Sequence, residues 1–167
     1  SGFDRRLPAD LTVAGVSGPT SALAGQPIAV EWSVGNRASY AAPGPRRDRV
    51  FLRRDGAADR VLADFEDPST IPGGATRRYT ATVILPPDLA GIWHLAVSAD
   101  VEDHVFEGDG EGDNTGVGQA GFAVSVPDLA IGRWTVPAAP LVAGTAFEVE
   151  WEVANGGSVE ARGPWWD

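Results

Sequence analysis

Between Tyr79 and Ala99 the chain reads YTATVILPPDLAGIWHLAVSA, and Tyr79, Ala81, Val83 and Leu85, then Trp93, Leu95, Val97 and Ala99, recur at every second position. That is the period of a strand with one buried face, and neither run keeps the 3.6-residue period of a helix. Pro86 and Pro87 withhold two N–H donors and impose a corner, and Gly91 allows a tight turn into the second strand. A chain organised around such a pair is committed to antiparallel sheet. The other segments have to supply the partner strands.

Upstream, Leu11 to Val16 is expected as a first strand. Ile28, Val30, Trp32 and Val34 form the inward face of the next, with Ala29, Glu31, Ser33 and Gly35 outward. Arg49 to Arg54 and Arg60 to Phe65 flank an Asp55-Gly56 turn and read as a hairpin. Ile71-Pro72-Gly73-Gly74 is another break, and Phe122, Val124 and Val126 make a last strand. Short strands with turn signals between them all, and no helical period, predict an all-β fold: an immunoglobulin-like, two-sheet antiparallel β-sandwich, with a barrel as the alternative. The chain has no cysteine. Trp32 and Trp93 are therefore expected to fill the space that a disulfide occupies in antibody domains, each ring burying about 150–250 Å².

The same lack of cysteine excludes a disulfide framework, thiolate chemistry and cysteine-ligated zinc. All thirteen basic residues are arginine, and the net charge of −10 argues against a nucleic-acid partner. No apolar run approaches the ~18 residues needed to span a bilayer. The first residues, SGFDRRL, lack the apolar centre of a signal peptide, so if the protein is exported its signal is expected outside these residues. Charge is segregated along the chain. Arg46, Arg47, Arg49, Arg53, Arg54 and Arg60 fall in one stretch, and Asp100, Glu102, Asp103, Glu107, Asp109, Glu111 and Asp113 in another. The bland reading of both is a solvated strand face and a solvated loop.

After Val126 the chain starts again. Pro127-Asp128-Leu129 echoes Ala9-Asp10-Leu11, and a constant offset of 119 relates Gly25 to Gly144, Trp32 to Trp151, Asn36 to Asn155, Gly44-Pro45 to Gly163-Pro164 and Asp48 to Asp167. Such a period denotes a tandem array. Residues 8–126 are expected to form one complete module and residues 127–167 the first strands of a second. In that copy Phe147, Val149, Trp151 and Val153 face inward and Glu148, Glu150 and Glu152 outward. Some forty residues cannot close a sandwich, so the second copy is expected to be a piece of a longer unit or a half completed by another molecule.

These residues, in this order, resemble a bacterial cell-surface module, the CARDB domain ("cell adhesion related domain found in bacteria"). The likeness rests on Asp10-Leu11-Thr12-Val13, on Ala24-Gly25-Gln26 before Val30-Glu31-Trp32-Ser33-Val34-Gly35-Asn36, and on Asp48-Arg49-Val50-Phe51-Leu52. It continues through Leu85-Pro86-Pro87, Leu89 and Gly91-Ile92-Trp93 to a loop with Asp100, Val105, Glu107, Glu111 and Asp113-Asn114. In that loop Asp103 and Asp113 stand where the family usually shows asparagine. The resemblance implies a non-catalytic module repeated along large exported bacterial proteins, extracellular or at the cell surface, spacing or presenting other domains and associated with adhesion. Its implied partners are adjacent modules of the array or neighbouring subunits, and a surface glycan or protein.

The acidic loop is the stretch with chemistry. Alternating carboxylates and glycines can wrap a calcium ion, which takes six to eight oxygen ligands, and Asp100, Asp103, Glu107, Asp109, Glu111 and Asp113 are the candidate metal ligands. EF-hand and β-roll motifs are approached but not matched. The competing expectations are a solvated, self-repelling tip and a pairing with the arginine-rich hairpin. No catalytic residue is assigned: His94 lies on a strand surface, His104 among carboxylates, and neither a GxSxG elbow nor a P-loop occurs. The Trp165-Trp166 pair could stack on sugar, but the first copy has Arg46-Arg47 there, which favours edge packing. The leading function is a structural or adhesion module, and the alternative is a carbohydrate- or protein-binding accessory module of a secreted enzyme.

Overall fold

The computed structural model describes residues 7–138 and 140–163. The chain divides into two compact units, Ser1–Val124 and Ser125–Asp167, two residues before the expected boundary.

The first unit is a sandwich of two antiparallel sheets. One has the order β1 (Leu11–Ser17), β3 (Pro27–Asn36), β6 (Thr76–Ile84). The other runs β2 (Ser21–Leu23), β9 (Phe122–Ser125), β7 (Gly91–Ser98), β4 (Arg46–Arg53), β5 (Arg60–Asp67), with β8 (Thr115–Val117) paired to β7 as well. The proline corner thus carries the chain from the edge of one sheet to the middle of the other. Gly91 takes φ +92° there, a left-handed backbone that a side chain would strain, and a Cβ would sit 3.2 Å from Arg54 Nη1.

Alternation decides which faces meet. Ile28, Val30, Trp32 and Val34 of β3 are buried against Val50 and Leu52 of β4 and Trp93, Leu95 and Val97 of β7 in a single core. Trp32 is 3% exposed; its ring stacks on Tyr79 at 5.5 Å and tilts against Phe65 at 5.7 Å. The sandwich is therefore the observed fold, and both tryptophans belong to its core. The Asp55-Gly56 hairpin forms as expected, with Gly56 at φ +75°.

Three details differ from the sequence reading. β4 begins at Arg46 rather than Arg49, and it carries Arg46 and Asp48 into the interior. β9 ends at Ser125, which leaves Val126 outside it. The three-residue strands β2 and β8 were not expected, because so short a run shows no period. No helix among the described residues is long and apolar enough to cross a membrane.

The second unit contains one hairpin-like pair, β10 (Leu129–Thr135) and β11 (Glu150–Asn155). Its register repeats that of β1 and β3. Leu11↔Asn36 and Val13↔Val34 have counterparts in Leu129↔Asn155 and Ile131↔Val153, and each ladder then shifts register, after Ala14 in one and after Ile131 in the other. The asparagine clamp repeats too. Asp10 N–H donates to Asn36 Oδ1 at 3.1 Å and Asn36 Nδ2 to Tyr40 O at 2.7 Å; Asp128 N–H donates to Asn155 Oδ1 at 3.0 Å and Asn155 Nδ2 to Val159 O at 2.7 Å. Gly25 and Gly144 share a positive φ. Phe147, Val149 and Trp151, the expected inward face, are exposed, as is Trp134 opposite Trp151. Pro164, Trp165-Trp166 and Asp167, on which part of the repeat and the proposed sugar platform rest, lie outside the described residues.

Candidate functional site

The acidic loop leaves β7 after Ser98 and returns at β8, and it is a built structure rather than a solvated tip. Asp100 and Asp103 adopt left-handed backbone, φ +48° and +56°, a conformation that aspartate tolerates better than most residues. These two turns fold the loop back so that the buried Asp100 carboxylate accepts the N–H groups of His104 at 3.2 Å and Val105 at 2.6 Å.

Glu107 is the second buried anchor, 2% exposed. Its Oε2 accepts the Leu11 N–H at 2.6 Å and its Oε1 the Asn114 Nδ2 at 2.8 Å. Burial pushes this carboxyl up to about 7, and the charges of Glu111 and Asp100 add to the rise, against the lowering pull of the Leu11 and Asn114 bonds. Asn114 is itself buried, and its Oδ1 has no hydrogen-bond partner among the described residues.

The other candidate carboxylates lie outside this anchor. Asp109 is exposed in a single 3-10 turn, Gly108–Gly110. Asp113 pairs with Arg37 at 3.0 Å. Glu111 Oε1 accepts the Glu107 N–H at 3.3 Å, and partial burial, with Asp103 as hydrogen-bonding neighbour, raises its carboxyl above the usual range. Asp103 and Glu111 are therefore neighbours, and among the described residues neither is paired with an arginine. The six candidates do not stand around one point: among the described residues, no group of three or more His, Asp or Glu side chains is arranged to hold a metal ion. The candidate side chains offer only oxygen donors, which suit a hard cation rather than a transition metal.

A second polar cluster, missed by the sequence reading, lies at the start of β4. Arg46 is fully buried, and its Nη2 donates to Asp67 Oδ2 at 2.6 Å and contacts the Tyr79 hydroxyl; its Nη1 donates to Ser69 O at 3.0 Å. Tyr79 O–H also donates to Asp67 Oδ2, at 2.6 Å. Burial would raise the Asp67 carboxyl, but hydrogen bonds from Ser69 and Tyr79 and the Arg46 charge outweigh it and hold it at about 2. Asp48, 3.7 Å from Arg46 Nε, accepts the Asp100 N–H at 3.2 Å, so the cluster is tied to the acidic loop. Burial raises the Asp48 carboxyl against the opposing pull of Arg46. The signal was parity: with Val50 and Leu52 inward, Asp48 and Arg46 fall on the same face.

The expected pairing of loop and arginine hairpin occurs at one exposed contact, Arg47 to Glu102 at 2.7 Å. The remaining hairpin arginines pair elsewhere, Arg49 with Asp64, Arg53 with Asp59 and Arg60 with Asp88. His94 Nδ1 lies 3.1 Å from Gly118 O, and His104 is exposed, 3.7 Å from Glu102.

The first unit is a cysteine-free sandwich of two antiparallel sheets with its acidic loop folded onto the first strand. No family model matches the chain, and no curated protein matches it. Among solved structures it is similar to the CARDB domain of PF1109 from Pyrococcus furiosus, in two determinations. The crystal structure, in complex with di-metal ions, shares 19% identity over 74% of this chain and 99% of that one, with a TM-score of 0.50. The solution NMR structure shares 20% identity over 70% and 95%, with a TM-score of 0.51. The chain has a CARDB-like fold.

Proposed function

We propose that the chain is a non-enzymatic structural or adhesion module of a large exported bacterial surface protein, in which it spaces or presents other domains. The observation that carries this reading is the repeated strand pair. One chain builds the same asparagine-clamped register twice, at Asp10–Asn36 and at Asp128–Asn155, as a tandem array of one module requires. The CARDB-like fold supports it. Antibodies raised against residues 8–126 should label intact cells of the source organism. Labelling only after permeabilisation would overturn the extracellular assignment.

Calcium is the cofactor we assign to the loop, its ligands drawn from Asp100, Asp103, Glu107, Asp109, Glu111 and Asp113. Asp103 and Glu111 are the pair best placed to begin such a site, because they are neighbours and a cation between them offsets the Asp103 charge that adds to the effect of burial on Glu111. The PF1109 domain was crystallised with two metal ions, which supports a metal here without naming it. A ligand bound only to the folded state at a hundredfold above Kd stabilises it by about 2.7 kcal/mol. Thermal melts of residues 1–126 should therefore separate between calcium and chelator, and Asp103→Ala with Glu111→Ala should abolish the separation. Coincident melts for the unmodified protein would remove calcium from the account.

A further inference from the structure

β6 is the outer strand of its sheet. Its ladder with β3 runs without a register shift from Pro27↔Ile84 to Gly35↔Thr76. Asn36 N–H donates to Ala75 O at 2.9 Å and Leu85 N–H to Gln26 O at 3.0 Å, and these two bonds set the phase of the ladder. Hydrogen-bonded and non-bonded pairs alternate in antiparallel sheet. Arg77, Tyr79, Ala81 and Val83 therefore bond β3, while the main-chain groups of Arg78, Thr80 and Thr82 turn outward. Among the described residues those outward groups meet no partner. β6 is nine residues long and carries neither a proline nor a bulge, two of the devices that close an edge to further pairing.

Two further observations single out this edge. Every other described arginine of the first unit faces a carboxylate or, for Arg54, lies over the Trp93 ring at 4.3 Å; Arg77 and Arg78 do neither. Adjacent residues of a strand project to opposite faces, so the two cations straddle the edge. Beside them a cleft of about 460 Å³ opens between β6 and β5, where the Phe65 and Tyr79 rings lie with Arg77, Arg78 and three carboxylates, Asp48, Glu66 and Asp67, the last two already paired with Arg47 and Arg46. Arginines here set like edge against like edge, because β6 meeting a second β6 would oppose cation to cation. They leave the edge open to carboxylates.

We propose that the β6 edge receives an extended acidic segment of another polypeptide as an added strand. The segment alternates carboxylates with apolar residues. Its main chain takes up the outward groups of Arg78, Thr80 and Thr82, its carboxylates meet Arg78 on the outer face, and its apolar residues cover the Phe65 and Tyr79 rings on the inner one, away from Glu66 and Asp67. This alternation occurs in the chain itself at residues 148–153, EVEWEV, so a fluorescent peptide of residues 145–155 is the probe.

Titrated into the full chain, the peptide should bind and should protect the Arg78, Thr80 and Thr82 amides from hydrogen exchange. Affinity should fall about tenfold or more for Arg77→Glu with Arg78→Glu, and similarly when the peptide's glutamates become glutamine. It should weaken as salt rises toward about 0.5 M. Thr80→Pro removes an outward N–H without touching the β3 ladder and should also abolish binding. The exchange measurement on the unmodified chain decides the matter even if a variant fails to fold. No binding at millimolar peptide would overturn the proposal. So would binding without protection of those amides, or equal binding of an acidic oligosaccharide such as polygalacturonate.

Discussion

Glu107 and Leu11 are 96 positions apart in the chain and meet at 2.6 Å, carboxylate to backbone N–H, in the interior of the first unit. The contact makes the acidic loop part of the first strand's anchorage. Removing the carboxyl orphans both the Leu11 N–H and the Asn114 amide, and a buried donor left unpaired costs roughly 1–3 kcal/mol. Glu107→Ala should therefore destabilise the unit by about 2–3 kcal/mol in urea melts. A loss below about 0.5 kcal/mol would mean that water or a rearranged loop replaces the bond.

Two arginines three positions apart on β4 should behave differently. Arg46 is fully buried between the half-buried Asp67 and the buried Asp48, so Arg46→Ala leaves both carboxylates without their cation and should cost about 3–5 kcal/mol. Arg49 makes a bidentate but exposed pair with Asp64, and Arg49→Ala should cost at most about 1 kcal/mol. Equal losses in the same denaturant titration would contradict the burial of Arg46.

Acid should unmask the same cluster. Asp67 titrates at about 2 in the folded chain against an ordinary 3.8, so its contribution is complete above pH 4 and is lost as pH falls from about 4 to 2. The shift corresponds to about 2 kcal/mol. Stability measured across that window should fall more steeply for the unmodified protein than for Asp67→Asn. Parallel profiles would show that Asp67 is not the group responsible.

Trp32→Ala should cost about 3–5 kcal/mol, since it opens a cavity between the two sheets and removes the ring on which Tyr79 and Phe65 pack. A change under about 1 kcal/mol would place the indole at the surface.

The second unit should not fold in isolation. Two paired strands with Trp134, Phe147 and Trp151 exposed bury too little to offset the entropy of ordering them. Residues 125–167 expressed alone should give a spectrum without a cooperative melt. A dispersed, monomeric, cooperatively melting product would refute the view that this is the opening of a larger module.

Where the fold could be read in the sequence, parity carried the reading. The inward sets of β3 and β7 and the corner at Pro86-Pro87 follow from apolar residues at alternate positions and one break, whereas the passage from one sheet to the other at that corner does not. Parity also held the buried Arg46 and Asp48, but their charge argued for the surface, and only the Asp67, Tyr79 and Asp100 partners reverse that inference. The loop was legible in composition alone. A run of glycines and carboxylates has no period, so nothing local marks Glu107 and Asn114 as interior or Asp109 as exposed. That division is made by β1, which lies far away in sequence. The left-handed turns at Asp100 and Asp103 leave no trace that distinguishes them from other aspartates.

The same anchorage has a mechanical meaning. Where the chain enters the first unit, Ala9 N–H bonds Phe106 O, Asp10 N–H bonds Asn36 Oδ1 and Leu11 N–H bonds Glu107, all before the β1–β3 ladder is under way. With the bond from Arg37 N–H to Asp10 O there are four, and tension drawn along the proposed array would arrive at them first; two of the four run to the acidic loop rather than to the neighbouring strand. Peeling β1 away must tear that loop loose at the outset, so resistance to pulling is set by a few side-chain and loop contacts at the threshold of the module, ahead of its sheet.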